Sequence, residues 1–165
     1  MSLQASVYTL ISGLTTTPVI FANQNGPQPA APFITIGLMG GNAQDVHIGA
    51  TDAEGVRTLD AHRTTTVSLR CFGSGCFDML DALALKLETE AALTLADSLN
   101  LAIVGKESLQ YAPQLIDGAV WEPVAVLDVF VASTGHASEN VGYIATVEVG
   151  GSTDGKEIKQ QVIAL

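Results

Sequence analysis

Between residues 64 and 72 the chain alternates: Thr65, Val67, Leu69 and Cys71 fall on one face, Thr66, Ser68 and Arg70 on the other. A period of two predicts a half-buried strand. Gly73-Ser74-Gly75 breaks the alternation, because glycine reaches backbone angles that other residues avoid. From Cys76 the period becomes helical. Phe77, Leu80, Ala84, Leu87 and Ala91 form one stripe, with Asp78, Asp81, Glu88 and Glu90 mostly off it, which predicts one long helix reaching residue 97. Residues 2–14 place Leu3, Val7, Leu10, Ile11 and Leu14 on one face of an earlier helix, which Pro18 stops.

The remaining pattern is mostly strand. Residues 18–22 (PVIFA) and 33–38 form two apolar runs, separated by a turn-rich stretch, NQNGPQPAAP, that cannot be regular structure. Residues 39–56 are polar and glycine-rich, and read as a long loop or loose hairpin with a weak strand at 46–48. A short strand at 101–104 and an irregular stretch at 106–118 follow. In residues 121–132, Ala125, Leu127, Val129 and Val131 are apolar on one face. Val124, Val126 and Phe130 are apolar on the other, interrupted by Asp128. Such a strand is expected to be covered twice, by helices and by a neighbouring subunit. Residues 133–140 read as a polar tip, and 141–149 as the returning strand of a long hairpin spanning 121–149. A turn at 150–155 and an edge strand at 157–163 complete the chain. The expected fold class is α+β, a mostly antiparallel sheet with two helices packed on one face, in a single domain over residues 1–165.

Composition narrows the function. At 165 residues a single domain can bury about 70% of its unfolded surface. The net charge is −10, and the seven basic residues form no run, which argues against a nucleic-acid clamp built on phosphate contacts. Charged residues make up only 15% of the chain and apolar residues 47%, a balance suited to hiding surface between subunits. No basic n-region and no membrane-length apolar run is present, so a chain that stays in the cytosol where it is made is expected. Cys71 and Cys76 form no disulfide framework and are expected to be reduced and buried.

No constellation supports catalysis. A nucleophile elbow requires G-x-S-x-G, whereas both glycines touch Ser74 directly. Asp78 stands where a dinucleotide fingerprint would have its third glycine. His47, His62, His136 and the two cysteines show no metal-ligand spacing. Asp78 and Asp81 fit the positive end of a helix dipole without any acid–base role. No cofactor is implied, and a small cytosolic hydrolase using Ser74 stands as the enzymatic alternative.

The stretch VIFANQNGPQPAAPFITI, through Ala22, Asn23, Gln24, Asn25, Gly26, Pro27, Pro29, Pro32, Phe33 and Thr35, resembles the opening of phage neck and tail terminator (tail-completion) proteins. The later order is also similar: a strand near Thr66–Phe72, a helix with a D-x-L-D-A-L-like run at Asp78–Leu83, and a hairpin near Trp121–Val149. The resemblance implies a non-enzymatic virion subunit that forms a ring, usually of six, at the tail–neck junction after assembly in the host cytoplasm. It implies partners in other copies of the chain, the tail tube or sheath protein, and a neck or head–tail connector protein. DNA would pass through the channel without specific binding, and acidic walls would favour its sliding. A head–tail connector or minor tail protein is the neighbouring alternative. The candidate assembly contacts are Asn23, Gln24, Asn25, Asn42, Gln44, Trp121 and His136, with loops 39–56 and 133–140 expected to meet other subunits.

Overall fold

The computed structural model describes residues 2–116, 118–142, 146–153 and 156–163, the last two stretches through their backbone. Among them are the helices α1 (Leu3–Leu14), α2 (Cys76–Lys86) and α3 (Glu90–Ser98). The strands are β1 (Val19–Phe21), β2 (Phe33–Ala43), β3 (His47–Ile48), β4 (Val56–Phe72), β5 (Leu101–Lys106), β6 (Gln110–Tyr111), β7 (Gln114–Ile116), β8 (Val120–Glu122), β9 (Val124–Asn140), β10 (Thr146–Thr153) and β11 (Lys156–Ile163). The fold is α+β; β1 runs parallel to β2, and the β2–β4, β3–β4, β5–β9, β6–β9, β7–β8 and β10–β11 pairs are antiparallel. The chain divides into two compact units, one of residues 1–44 and 62–134, the other of 45–61 and 135–165.

The first unit carries the apolar core. Its strands run in the order β1-β2-β4-β9-β5, with β6 also on β9. The alternating sets predicted from sequence all point inward: Val67, Leu69 and Cys71 on β4, and Ala125, Leu127, Val129 and Val131 on β9. Ile34 and Ile36 lie opposite Cys71 and Leu69 across the β2–β4 ladder. Val7, Leu10 and Ile11 of α1, Leu80, Leu83 and Ala84 of α2, and Ala96 of α3 join the same core. All three helices therefore cover one face of the sheet. Local chemistry sets the helix starts. The Ser2 hydroxyl accepts from the Ala5 N–H at 3.3 Å, and the Thr89 hydroxyl accepts from the Ala92 N–H at 3.3 Å.

That second cap corrects the single long helix. Leu87 ends α2, Thr89 caps a new start, and the expected stripe divides. Leu80, Ala84 and Leu87 are buried, while Phe77 and Ala91 are exposed. A threonine competes for helical backbone groups, and here it restarts the helix. Further expectations also change. The 39–56 loop is strand as far as Ala43, while its expected weak strand at 46–48 is present as β3, and the 106–118 stretch contains β6 and β7. The polar tip at 133–140 is the far half of β9, because a ladder is held by backbone groups and tolerates polar side chains on solvated faces. Among the described residues no pairing builds the expected 121–149 hairpin, of which 143–145 lie outside the described residues: β8 pairs with β7, and β10 pairs with β11 from Thr146↔Ile163 to Thr153↔Lys156. The sequence Asp154-Gly155 between β10 and β11 is a strong hairpin signal, and the expected turn at 150–155 began too early.

Among the described residues, polar groups make the side-chain contacts of the second unit. β3 pairs with β4 through His47↔Asp60 and Ile48↔Leu59. The Asp52 carboxylate accepts from the Glu54 and Val56 N–H groups at 3.1 and 2.7 Å. Arg57 Nε lies 2.5 Å from Glu139 Oε1, and His136 Nδ1 lies 2.6 Å from Asp60 Oδ1. Gly55 is at φ +79°, and a Cβ there would stand 2.8 Å from the Gly142 carbonyl carbon. Nearby, Val141 N–H donates to Gly55 O at 2.9 Å. Only glycine permits this backbone approach. Among the described residues, every buried hydrophobic side chain belongs to the first unit.

Candidate assembly surface

The turn-rich stretch between β1 and β2 has a structural task. β1 and β2 are parallel, so the chain must return the length of the strands between them. Residues 22–32 make that crossover without a helix. Asn23 opens it in the left-handed region at φ 62°, a conformation asparagine tolerates better than most residues. Ala22 N–H donates to Ile36 O at 2.8 Å, and Ile34 N–H to Pro18 O at 2.8 Å. The far end of the crossover rests on the strand–helix turn. Gly73 is at φ +99°, and a Cβ on it would come within 2.8 Å of the Ala31 Cβ and 3.3 Å of the Pro32 Cα. Gly73 N–H also donates to Pro123 O at 2.9 Å. The glycine turn thus anchors the crossover to β4 and to the residue before β9.

This crossover borders two adjoining depressions, both lined by residues of the first unit. One, of about 340 Å³, is lined by Asn23, Gln24, Gln28, Phe33, Phe72 and Glu122 among others. The other, of about 720 Å³, is lined by Gln4, Asn23, Leu38, Met39, Arg70 and Phe72 among others. Asn23, Thr35, Ala22 and Phe72 border both. Phe33 and Phe72, which line the smaller depression, stack with centroids 5.0 Å apart and planes 12° from parallel. The alternation that sends Leu69 and Cys71 into the core sends Arg70 and Phe72 here. Arg70 is exposed, and among the described residues its guanidinium makes no ion pair. On the same side of β9, Asp128 Oδ1 is buried with no hydrogen-bond partner. A buried acceptor left unpaired costs about 1–3 kcal/mol.

Of the seven candidate contacts, Asn23 and Gln24 line the depressions, while Asn25 is exposed in the same crossover. Asn42 is exposed on β2 opposite Thr64, and Gln44 N–H donates to His62 O at 2.9 Å. Trp121 lies on β8 directly opposite Leu115, 65% exposed. His136 belongs to the second unit, with its Nδ1 2.6 Å from Asp60 Oδ1. Sequence reasoning missed Arg70, Phe72, Met39 and Gln4. The alternation of 64–72 was the available signal for the first two.

The groups that suggested chemistry are otherwise occupied. Ser74 is exposed and, among the described residues, has no hydrogen bond to a histidine or carboxylate. His62 Nδ1 lies 3.0 Å from Thr134 Oγ1. Cys71 and Cys76 are free and buried. Burial raises the Cys71 thiol from 9.0 to about 11, with the neighbouring Cys76 adding to the rise and a backbone hydrogen bond at Phe72 opposing it. Burial likewise raises the Cys76 thiol. Both stay protonated at neutral pH, and a thiol is a poor nucleophile. Among the described residues no group of three or more His, Cys, Asp or Glu is placed to hold a metal ion, and no helix is long and apolar enough to cross a membrane.

Fold and surface together define an α+β protein with one sheet face under helices and the other open beside a built crossover. The family model of the phage neck terminator protein matches residues 1–157, and the chain belongs to that family. A comparison with curated proteins found no match. The chain is therefore a structural component of the phage neck and tail, part of the virion, that works in contact with other tail and neck proteins.

Proposed function

We propose that the chain is a tail terminator: a non-enzymatic subunit of a ring, of six copies, that caps the tail tube and joins it to the head–neck connector. The family match over residues 1–157 is the observation that carries this reading. The open sheet face with its unpaired Arg70 and Asp128 supports it, because such groups suit a surface completed by other protein. The net charge of −10 suits a DNA channel whose walls repel phosphate. The chain acts as a single functional module without cofactor or metal. Asn23, Gln24, Asn25, Asn42, Gln44, Trp121 and His136 contribute to its contacts.

The test is reconstitution of the purified chain with tail tubes that lack it, followed by electron microscopy. The expected result is a ring of six at the end of the tube facing the head, and tubes that no longer lengthen. Uncapped tubes in the presence of excess protein would refute the terminator role. Density on the head connector alone would instead favour the connector reading.

A further inference from the structure

The larger depression holds a buried polar side chain with nothing to bond to. Ser68 is 7% exposed and lines the hollow. Among the described residues its hydroxyl takes part in no hydrogen bond. The alternation that turns Leu69 inward turns Ser68 and Arg70 to this side. Opposite Ser68 across the β2–β4 ladder stands Gly37, which has no side chain to close over the hydroxyl. A Cβ at Gly37 would meet nothing nearer than the Ala22 Cβ and the Ser68 carbonyl oxygen, both at 3.8 Å. Thr35 lies opposite Arg70 in the same ladder, and Gln4 and Asn23 bring carboxamides to the wall. Arg70 is the one charged residue in the lining, exposed and, among the described residues, without an ion pair. Asp128, whose Oδ1 is buried, is not among the lining residues.

We propose that this hollow is a carboxylate-binding site, in which Arg70 pairs with an Asp or Glu side chain of another protein chain and the Ser68 hydroxyl donates to it. The guanidinium and the hydroxyl are donors without acceptors, and an ionised carboxylate is an acceptor-only group. The planar fork of arginine matches two carboxylate oxygens. Phosphate along a nucleic acid is a poorer fit, because it calls for several clustered cations and this chain carries a net charge of −10. Leu38 and Met39, exposed apolar groups that also line the hollow, give the segment bearing the acid a surface to lie on. The site deepens the assembly reading above, on which its role in the particle rests.

The binding chemistry is tested on the purified chain by amide NMR, with the capped dipeptide N-acetyl-leucyl-aspartyl amide as probe. Shifts should saturate at Thr35, Gly37, Ser68 and Arg70, and the asparaginyl counterpart should give none. Arg70→Gln should weaken binding at least about tenfold, the scale of a charged hydrogen bond, and Ser68→Ala about threefold. Gly37→Val, which fills the hollow without meeting backbone closely, should abolish it. Circular dichroism checks that the variants fold. The source of the acid is read in assembled particles carrying Arg70→Lys, treated with a water-soluble carbodiimide that joins an amine to a touching carboxylate as an amide. The introduced amine should link to an acid of another chain, and mixed isotope-labelled copies distinguish a second copy from a different neck or tail protein. The Lys106–Glu88 pair inside each chain is the control for the reaction. The proposal is overturned by a titration without saturable shifts, by shifts unchanged in Arg70→Gln, by an introduced amine left unlinked while Lys106 links to Glu88, or by a link only to Asp128 of the same chain. Failure of the assembly reading shows separately, as a chain that enters no particle while the titration still saturates.

Discussion

The two units of this chain solve the same problem by different means. The first buries an apolar core under three helices, with Leu69, Leu80, Ile34 and Ala125 fully enclosed. The second, among the described residues, encloses no hydrophobic side chain and shows an aspartate-closed turn, two glycines in close approach, the Arg57–Glu139 ion pair and a His136–Asp60 hydrogen bond. Exposed ion pairs contribute only about 0–1 kcal/mol each, whereas each enclosed leucine contributes several. The lesson is a division of labour among the described residues: enclosed apolar side chains lie in the first unit, and polar contacts mark the second.

The largest expected effect lies in the core. Leu69→Ala or Leu80→Ala should lower global stability by about 2–5 kcal/mol, read by urea denaturation. A loss below about 1 kcal/mol would mean that the first unit does not carry the fold. Next comes Gly55→Val, which places a branched side chain against the Gly142 backbone at a positive φ. Strain of about 1–3 kcal/mol should appear as faster hydrogen exchange around residues 52–60 and 136–142, with the core amides unchanged. Equal loss in both units would dissolve the distinction between them.

Alkaline titration sharpens the contrast from the core side. Cys71 stays a thiol in the folded protein up to about 11 but ionises near 9.0 when exposed. Its contribution is fully present below pH 9. Above that the unfolded chain gains thiolate while the folded chain does not, so stability falls progressively between about pH 9 and 11. Cys71→Ala should flatten that window in denaturation midpoints measured against pH, and an unchanged slope would discount the burial argument. The smallest effect belongs to the second unit: breaking the partly exposed Arg57–Glu139 pair with Arg57→Ala should cost at most about 1 kcal/mol. A double-mutant cycle with Glu139→Ala gives the coupling, and a value well above that would make this pair a principal support.

Much of the first unit was legible in sequence because burial leaves a period. Thr65 to Cys71 and Ala125 to Val131 announced their faces, and the crossover residues Ala22 to Thr35 announced the family. The second unit was opaque for the same reason. Residues 133–140 carry no apolar alternation, and the ladder that extends β9 through them is made by backbone groups that every sequence possesses. The break at Thr89 was hidden within a continuous stripe, where one capping hydroxyl outweighs the period. Arg70 was passed over because an isolated cation on a strand usually faces water. Its neighbours, not its own type, place it in a depression.

Hydrogen exchange on the free subunit and on the subunit within the assembled tail–neck particle tests the assembly surface most directly. Amides of residues 20–24, 37–39, 45–61 and 114–122 should become strongly protected in the particle, while those of Leu69, Leu80 and Leu127 stay equally slow in both. The same exchange pattern free and assembled, or protection confined to the helix-covered side, would contradict the assignment of the open sheet face to assembly.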